Sequence, residues 1–343
     1  MGTRRRRVSS KQGRSKLVKW DDLRMAIISN CTHDAIKKAA VALKNGHLVA
    51  FPTETVYGLG GDATNADAVS EIYRVKNRPS RNPLIVHVSS VQQIHNWVVE
   101  IPDYAMKLAL EFCPGPLTLI LKGNEIAREF LTGGQSSIGI RVPSNACAQL
   151  LLTEFELLGG IGVAAPSANM YKSISPTCAK DVWTEIGSRL SQEDTILDGG
   201  SCELGIESTI VNCLGETPKI LRPGWVTPEA IKQLLGSDSI GQNYDSVTLF
   251  PGSEFSHYLP KTPVVINEPI KLGDGLIALS NIKTPAGVER LSSPKSLEQF
   301  AASLYSSFRR ADELNLKRIV VILNETNGIG IAILDRVTKA SRQ

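Results

Sequence analysis

Residues 49–63, V-A-F-P-T-E-T-V-Y-G-L-G-G-D-A, and residues 76–88, K-N-R-P-S-R-N-P-L-I-V-H-V, are the part of the chain that best predicts its fold. The first stretch reads as a buried strand (48–52), then a polar turn that contains three glycines, then a helix that ends near Lys76. The second stretch ends in another apolar strand (84–88). Strand, helix and strand in this order predict an α/β sheet.

Three cations, Lys76, Arg78 and Arg81, lie within six positions between that helix and the second strand. Pro79 and Pro83 interrupt them and argue against helix continuation, so we expect a stiff connection at the edge of the sheet. Open α/β sheets bind their ligands at that edge. Each charge-assisted hydrogen bond to a phosphate contributes about 1.5–3 kcal/mol, so two or three would hold a nucleotide. The pattern predicts an anion site, although such cations also occur on ordinary solvated surfaces.

The composition is that of a soluble globular protein, with 42% hydrophobic and 21% charged residues, and 343 residues suffice for two domains. No apolar run approaches the roughly 20 residues that a membrane-spanning helix needs, so no membrane association is expected. The six cysteines and five histidines are dispersed, which argues against a structural zinc site. Without a secretory signal, free thiols and a cytoplasmic location are expected.

The net charge of +4 is concentrated at one end, because residues 1–19 hold eight cations and no acid. The remaining chain is therefore mildly acidic, at 4 − 8 = −4. Three interpretations of the basic segment stay open: a solvated tail, a nucleic-acid contact, or an organellar transit peptide.

Helices and strands alternate over residues 30–236 without internal repeats, which predicts one catalytic α/β domain with a twisted open sheet. Residues 237–262 are rich in Gly, Ser, Asp, Asn and Pro, and we interpret them as a linker that could act as a lid. Residues 263–343 predict a small Rossmann-like α/β domain, which includes an amphipathic helix. Residues 1–29 are assigned to a basic, disordered tail.

Two further arginines stand among apolar residues, Arg141 in I-G-I-R-V-P and Arg222 in I-L-R-P-G. A buried guanidinium needs a counter-anion, which is either a protein carboxylate or a ligand. The turn P-S-A-N offers Ser167 and Asn169 to an anion, or forms an ordinary turn.

Missing motifs exclude several classes of enzyme. The chain has no G-x-x-x-x-G-K-[ST], which excludes a P-loop NTPase, and no G-x-S-x-G, which disfavours a serine hydrolase. G-L-G-G-D-A (58–63) fits a loose dinucleotide fingerprint, but the acidic residue expected about 20 positions later is replaced by the cationic loop. No pair of carboxylates lies at catalytic spacing in the central stretch. A nucleotide would be held mainly by cations, hydroxyls and backbone.

Seven segments, in this order and approximate spacing, resemble the YrdC-like family. They are P-T-E-T-V-Y-G-L-G (52–60), K-N-R-P-S-R-N-P-L-I-V-H (76–87), P-G-P-L-T (114–118), R-V-P (141–143), A-P-S-A-N (165–169), G-I-E-S-T-I-V (205–211) and L-R-P-G (221–224). The segment P-G-S-E-F-S-H-Y-L-P (251–260) and residues 328–340 resemble the linker and C-terminal domain of the long form of the family. The resemblance covers nearly all of residues 30–343.

The resemblance implies a synthase that makes L-threonylcarbamoyl-adenylate from L-threonine, bicarbonate and ATP, with release of pyrophosphate, for the t6A modification of tRNA. It implies Mg²⁺ carried with ATP and no protein metal site. It also implies a downstream threonylcarbamoyl transferase as partner, with tRNA as a further one.

Carried over by motif position, the resemblance implies three sets of site residues. Lys76 and Arg78 would be the catalytic cations at the phosphates. Threonine would be bound by Thr55, His87, Arg141, Ala165 and Ser208. ATP would be bound by Arg78, Asn82, Ser137, Ser167, Asn169, Ser175, Arg222, His257 and Tyr258. After S-A-N this chain has Met170, Tyr171 and Lys172 where the family commonly has Ser-Gly, a departure that bears on Ser175.

Two other functions are weighed against the synthase. An RNA-binding module would use the cationic cleft and the basic tail without ATP turnover, and its tRNA affinity would depend on salt. Its weakness is the acidic charge of the chain outside the tail. A carbamoyl-transfer domain for metal-centre maturation would bring further domains and cysteine-rich zinc motifs, which this chain lacks.

Overall fold

A computed structural model of the chain describes residues 27–236, 250, 252, 257–325 and 327–342. Among these residues, ten strands form one mixed sheet in the order β1-β8-β2-β3-β7-β4-β6-β5-β9-β10. The strands are β1 (Ile27–Asn30), β2 (Val49–Phe51), β3 (Gly58–Asp62), β4 (Ile85–His87), β5 (Leu117–Lys122), β6 (Ser137–Arg141), β7 (Val163–Ala164), β8 (Thr195–Asp198), β9 (Thr209–Asn212) and β10 (Lys219–Arg222). The predicted α/β class is confirmed.

Helices cover both faces of this sheet. They are α1 (His33–Lys44), α2 (Ala66–Lys76), α3 (Asp103–Phe112), α4 (Glu125–Phe130), α5 (Ala146–Leu157), α6 (Ala179–Ile186) and α7 (Pro228–Leu235). Helices α1 and α5 pack with Val49 and Phe51, whereas α2, α3, α6 and α7 share a core with Leu48 and Ala50. Because alternate residues of a strand point to opposite faces, these two sets lie on opposite sides of the sheet.

The three glycines predicted as a turn instead lie in a strand. Residues Gly58–Asp62 form β3, which pairs antiparallel with β2 and is fully buried. A Cβ on Gly60 would lie 2.7 Å from a Val163 side-chain atom and 2.8 Å from Phe51. The prediction of a turn was wrong, because glycine is required here by close packing and not by an unusual backbone conformation.

The C-terminal domain is a separate α/β unit, as predicted. Its strands all pair in parallel, in the order β11-β14-β12-β13. Its elements are β11 (Val264–Ile266), β12 (Gly275–Ile277), β13 (Glu289–Ser292), α8 (Leu297–Glu313), β14 (Ile319–Val321) and α9 (Ile329–Ala340). Helix α8 buries Phe300, Leu304 and Phe308 on one face, which is the face its sequence predicts.

The predicted domain boundaries can be compared with the structure only where the residues are described. Strand β1 begins at Ile27, so the sheet starts three residues inside the segment assigned to the tail, 1–29. The rest of that segment lies outside the described residues, as do 237–249, 251 and 253–256 of the predicted linker. Within the described part of the chain, no helix is long and apolar enough to span a bilayer.

The expectation of free thiols is wrong for two of the six cysteines. A disulfide joins Cys31, just after β1, to Cys147 in the first turn of α5. The two residues are 116 positions apart, and the packing of α5 against α1 brings them together. Cys113, Cys178, Cys202 and Cys213 are free thiols.

Candidate active site

A small cavity lies on the same face of the sheet as helices α1 and α5, over strands that these helices leave uncovered. Ile85, His87 and Arg141 line it from the neighbouring parallel strands β4 and β6. In the register of these strands, His87 lies opposite Arg141 and Ile85 opposite Gly139, so the named side chains share one face. Of the three cations predicted to form an anion site, Lys76, Arg78 and Arg81, only Arg78 is among the residues that line this cavity, and the anion site itself stays a prediction.

The structure brings nine of the fifteen predicted site residues to this cavity. They are Arg78, His87, Arg141, Ala165, Ser167, Ser208, Arg222, His257 and Tyr258. The cavity volume is about 50 Å³, which is small for a ligand site.

Arg141 is buried and already has a protein carboxylate beside it. Its Nη2 donates to Oε1 of Glu54 at 2.6 Å and to Oγ1 of Thr55 at 2.8 Å. Thr55 thus touches Arg141 from outside the cavity lining. The other oxygen of Glu54 accepts the backbone N–H of Ser144. Of the two counter-anions considered from the sequence, the protein supplies one, and the Nε of Arg141 has no hydrogen-bond partner among the described residues.

His87 is held neutral next to Arg141. Burial, with a smaller contribution from the Arg141 charge, lowers the pKa of His87 to about 3. Its ring meets Phe51 edge to face, with centroids 6.2 Å apart, and its Nδ1 has no partner among the described residues. The cavity therefore contains an uncharged imidazole with one ring nitrogen available to a ligand.

Ser208 and Arg222 are locked to one another across β9 and β10. The Nε of Arg222 donates to the carbonyl of Ser208 and its Nη2 to the Ser208 hydroxyl, both at 3.1 Å. Thr118 on β5 completes the cluster, with its hydroxyl 2.8 Å from that of Ser208. Burial lowers the pKa of Arg222, but a guanidinium stays charged at any ordinary pH. A fixed positive charge therefore stands at this wall of the cavity.

Arg78 reaches the cavity from the loop after α2. Asn77 ends that helix in the left-handed conformation, with φ of 52°, and so turns the chain toward the loop. The guanidinium of Arg78 donates to the carbonyl of Pro83 and lies 5.8 Å from the ring centroid of Tyr171. The hydroxyl of Tyr171 accepts from the side chain of Asn82 at 2.8 Å. The residues that depart from the family pattern thus brace the cationic loop.

Lys76 does not line the cavity. It is the last residue of α2 and is 2% exposed, and its Nζ donates to the carbonyls of Ser167 and Asn169 at 2.5 Å each. Burial, and then the charge of Arg78, hold the pKa of Lys76 well below its ordinary value. This geometry makes Lys76 a support for the P-S-A-N turn, and its predicted contact with phosphates stays a prediction.

Three other predicted ATP-site residues lie behind or beyond the cavity. The amide of Asn169 donates to the carbonyls of Met170 and Ser173, so it shapes its own loop. The hydroxyl of Ser175 donates to Glu207 at 2.6 Å. Ser137 stands at the opposite end of β6 from Arg141, about 13 Å along the strand but on the same face. A ligand as long as a nucleotide could reach both ends of that row.

Two carboxylates at the site were missed in the sequence, Glu54 and Glu207. Glu207 lines the cavity. Burial alone would raise its pKa, but Arg336 and Arg222 outweigh that effect and hold the pKa at about 2. Glu54 follows the buried strand β2 and Glu207 precedes the buried strand β9, and a buried acid requires a buried cation. That rule, applied to Arg141, Arg222 and Arg336 together, was the available signal.

The linker contributes Gly252, His257 and Tyr258 to the lining. Tyr258 is buried with φ of 62°, and its ring stacks on Tyr305 of the C-terminal domain at 5.6 Å between centroids. Burial lowers the pKa of His257 to about 3, and its ring contacts that of Tyr258. A Cβ on Gly252 would lie 2.7 Å from the Tyr258 hydroxyl, so these two residues are packed closely together where they line the cavity.

Two family models match the chain. The Sua5_yciO_yrdC model, described as telomere recombination, matches residues 41–224. The model described as threonylcarbamoyl-AMP synthase, C-terminal domain, matches residues 226–342. The first match alone spans more than half of the chain.

Relatives and solved structures agree with both models. The threonylcarbamoyl-AMP synthase of Bacillus subtilis is 36% identical over 89% of this chain and 92% of its own length. That of Pyrococcus abyssi is 33% identical over 89% of this chain and 94% of its own. The structure of P. abyssi Sua5 complexed with L-threonine superposes with a TM-score of 0.81 at 32% identity, covering 92% of this chain and 97% of that one. The chain therefore belongs to the Sua5/YciO/YrdC family, in the long form that carries the threonylcarbamoyl-AMP synthase C-terminal domain.

Proposed function

We propose that this chain makes L-threonylcarbamoyl-adenylate from L-threonine, bicarbonate and ATP, and releases pyrophosphate. The observation that carries the proposal is Arg141, a buried guanidinium in the cavity wall that Glu54 satisfies only in part. The carboxylate of threonine would complete its hydrogen bonds, since guanidinium and carboxylate form strong charge-assisted pairs. The relative from P. abyssi, solved with L-threonine, supports this choice of amino acid.

The neutral state of His87 suits the amine chemistry of the first step. Bicarbonate gives CO₂ by loss of hydroxide, which takes one proton from the threonine ammonium and leaves as water. The free amine then attacks CO₂, forms the N–C bond of the carbamate and releases a second proton to solvent. The imidazole of His87 adds no charge and can accept a hydrogen bond from the amine or the hydroxyl of threonine. Thr55, Ala165 and Ser208 would complete the threonine site, as the motifs imply.

In the second step the carbamate oxygen attacks the α-phosphate of ATP, and the bond from that phosphorus to the β-phosphate oxygen breaks. Such a reaction depends on positioning and on neutralising charge, and no protein nucleophile is required. Arg78 and Arg222 both line the cavity, and we propose that they neutralise the phosphates. Ser137, Ser167, Asn169 and Ser175 would hold the remainder of the nucleotide directly or through their loops.

A cavity of about 50 Å³ is much smaller than the roughly 300–1,000 Å³ of typical ligand sites. His257 and Tyr258 cover it, so the linker would move aside for ATP and return over the intermediate. Closure would protect the carbamate, which otherwise loses CO₂, in a dry site.

Mg²⁺ would enter with ATP as part of the substrate. Among the described residues no group of three or more His, Cys, Asp or Glu side chains could hold a metal ion. The two carboxylates at the site, Glu54 and Glu207, already pair with guanidinium groups. These donors fit a metal carried on phosphates rather than one bound in a protein cage.

The remaining predictions concern the setting of the reaction. The adenylate is unstable as a mixed anhydride, so a threonylcarbamoyl transferase acting on tRNA would consume it, in the cytoplasm. Use of the cleft for RNA binding alone is less well supported. Arg141 and Arg222 are only 5% and 4% exposed, and a phosphate backbone would not reach them easily.

The test is pyrophosphate release from Mg-ATP, with and without bicarbonate, with each common amino acid added separately. We expect release that requires threonine and bicarbonate and that falls at least 100-fold in Arg141→Ala. Release without amino-acid dependence would contradict the proposal. So would no release from a protein that binds tRNA in a salt-dependent manner, which would favour the RNA-binding alternative.

A further inference from the structure

We propose that Arg336 of the C-terminal domain is a positioning residue for the active site, which acts through Glu207 on the loop and strand that carry Ser175 and Ser208. This inference rests on the proposed function, and it assigns the C-terminal domain a role in the reaction of the other domain. The first support is burial. Arg336 is 0% exposed, although it stands on α9, outside the catalytic domain.

The guanidinium of Arg336 makes most of its bonds to the other domain. Its Nε donates to Oε2 of Glu207 at 2.7 Å, and its Nη2 donates to the carbonyls of Pro223 and Glu207 at 3.1 and 3.4 Å. Only Nη1 bonds within its own helix, to Asp335 at 2.6 Å. Arg336 therefore fixes both the side chain and the backbone of the G-I-E-S-T segment.

Glu207 receives donors from three directions. Ser175 donates to Oε1 at 2.6 Å, and the hydroxyl of Tyr305 on α8 lies 3.2 and 2.9 Å from the two oxygens. Together with Arg336, these groups leave the carboxylate well satisfied in a buried place. The C-terminal domain thus supplies the donors that hold Glu207, and Glu207 in turn holds Ser175.

Ser208 follows Glu207 directly and is the residue that Arg222 and Thr118 bind. A shift of the Glu207 backbone would move Ser208 and the guanidinium attached to it. The packing leaves little slack, because Gly205 has φ of 75° and a Cβ there would lie 2.5 Å from Cα of Ala302 on α8. The segment is therefore pressed against the C-terminal domain just before it enters the cavity.

The same arginine also contacts the linker. Its Cζ lies 5.4 Å from the ring centroid of Tyr258, within the range of a cation–π contact. The next turn of α9 adds Lys339, whose Nζ donates to the carbonyl of Gly252 at 2.9 Å. One face of α9 thus holds the residues that cover the cavity as well as those that form its wall.

Stability alone does not explain why the ion pair between Arg336 and Glu207 is buried here. Well-packed apolar residues often replace a buried ion pair without loss of stability. Arg222 is the other cation whose charge lowers the pKa of Glu207, so Glu207 would attract it once Arg336 is gone. With Arg336 in place, Arg222 remains beside Ser208, where the nucleotide phosphates are proposed to lie.

The experiment compares Arg336→Met with Arg318→Met in the full chain. Arg318 is a matched control in the same domain, since it pairs with Asp274 and Glu268 of that domain. We expect Arg336→Met to lower kcat/KM for pyrophosphate release about 10- to 100-fold, mainly through kcat, because small misplacements in an active site have effects of that size. Arg318→Met should change it less than 3-fold. The effect of Arg336→Met should shrink in a Glu207→Gln background.

If Arg336→Met does not fold, Tyr305→Phe is the second variant to test. It removes only the hydroxyl that bonds Glu207. Its control is Tyr104→Phe, because the hydroxyl of Tyr104 bonds the carbonyl of Gly215 instead.

The rate of hydrogen exchange over residues 205–211 gives a readout that does not depend on the reaction. We expect this rate to rise at least 10-fold in Arg336→Met and in Tyr305→Phe, but not in the two control variants. Equal kcat/KM and equal exchange in variant and control would overturn the inference. An inactive wild type with faster exchange in the variant would contradict the proposed function and not the inference.

Discussion

Acidification should destabilise the protein through His87 more than through its exposed histidines. The pKa of His87 lies at about 3 in the folded chain, against 6.5 ordinarily, because of burial and of Arg141. As the pH falls below 6.5, the unfolded chain binds a proton that the folded chain refuses until about pH 3. The stability is therefore fully present above 6.5 and is lost as the pH falls toward 3.

Between pH 7.5 and pH 5.0 this linkage amounts to about 2 kcal/mol of unfolding free energy for His87. His257 has the same lowered pKa and adds a similar amount. Glu207 does not contribute in this window. Its pKa is about 2 in the folded chain, compared with an ordinary value of 4.5, so the stability that its ionised form provides is lost only as the pH falls below about 4.5. The window thus isolates the histidines from this carboxylate.

The assay is urea unfolding at pH 7.5 and 5.0 for wild type, His87→Gln and His257→Gln. His95, which is exposed on a short 3₁₀ helix, provides the control His95→Gln. Each buried-site variant should lose about 2 kcal/mol less on acidification than wild type, and the control should behave as wild type. If His87→Gln loses as much as wild type, then His87 is not held neutral and is not the uncharged hydrogen-bond acceptor that is proposed for threonine.

Two further perturbations test the site and its frame. Glu54→Gln leaves Arg141 buried without its carboxylate, which should cost about 3–5 kcal/mol of unfolding free energy, and threonine should restore more stability to this variant than to wild type. Chemical unfolding with and without threonine measures both effects. The control is Glu71→Gln, which breaks the surface pair with Arg74 and should cost under about 1 kcal/mol of unfolding free energy. Equal losses of unfolding free energy in Glu54→Gln and Glu71→Gln would count against the Arg141 site. Cys31→Ser, which opens the disulfide to Cys147, should lower the stability of the oxidised protein by about 2–4 kcal/mol, whereas Cys178→Ser should not. Identical unfolding midpoints for both cysteine variants would mean that the disulfide does not constrain the chain.

The sequence predicted the strand ends of the site well, because they depend on local patterns. Apolar runs located β4 and β6, and parallel pairing then put His87 beside Arg141. The misread element was Gly58–Asp62, where the glycines signal close packing against Val163, a contact made 103 positions away. Hydrophobic periodicity and residue propensity depend on neighbours in the sequence. The packing of these glycines depends on a residue far away in the sequence, so neither pattern reveals it.

Partners of buried charges were out of reach for the same reason. Glu54 is 87 positions from Arg141, and Glu207 is 129 positions from Arg336. Lys76 is a comparable case, since its run of cations predicted an anion site, but the ammonium group is bound by the carbonyls of the P-S-A-N turn. Such pairings follow from the tertiary fold, and only the requirement that each buried charge has a partner is visible in the sequence.

The most direct test of the proposed reaction is to identify the product formed from labelled bicarbonate, threonine and Mg-ATP. Mass spectrometry should detect one compound that contains threonine, one carbonyl derived from bicarbonate, and AMP, in equal amount to the pyrophosphate released. Pyrophosphate release with a threonyl-adenylate that lacks the bicarbonate carbon would contradict the proposed chemistry, because ATP would then activate the carboxylate that Arg141 is proposed to bind.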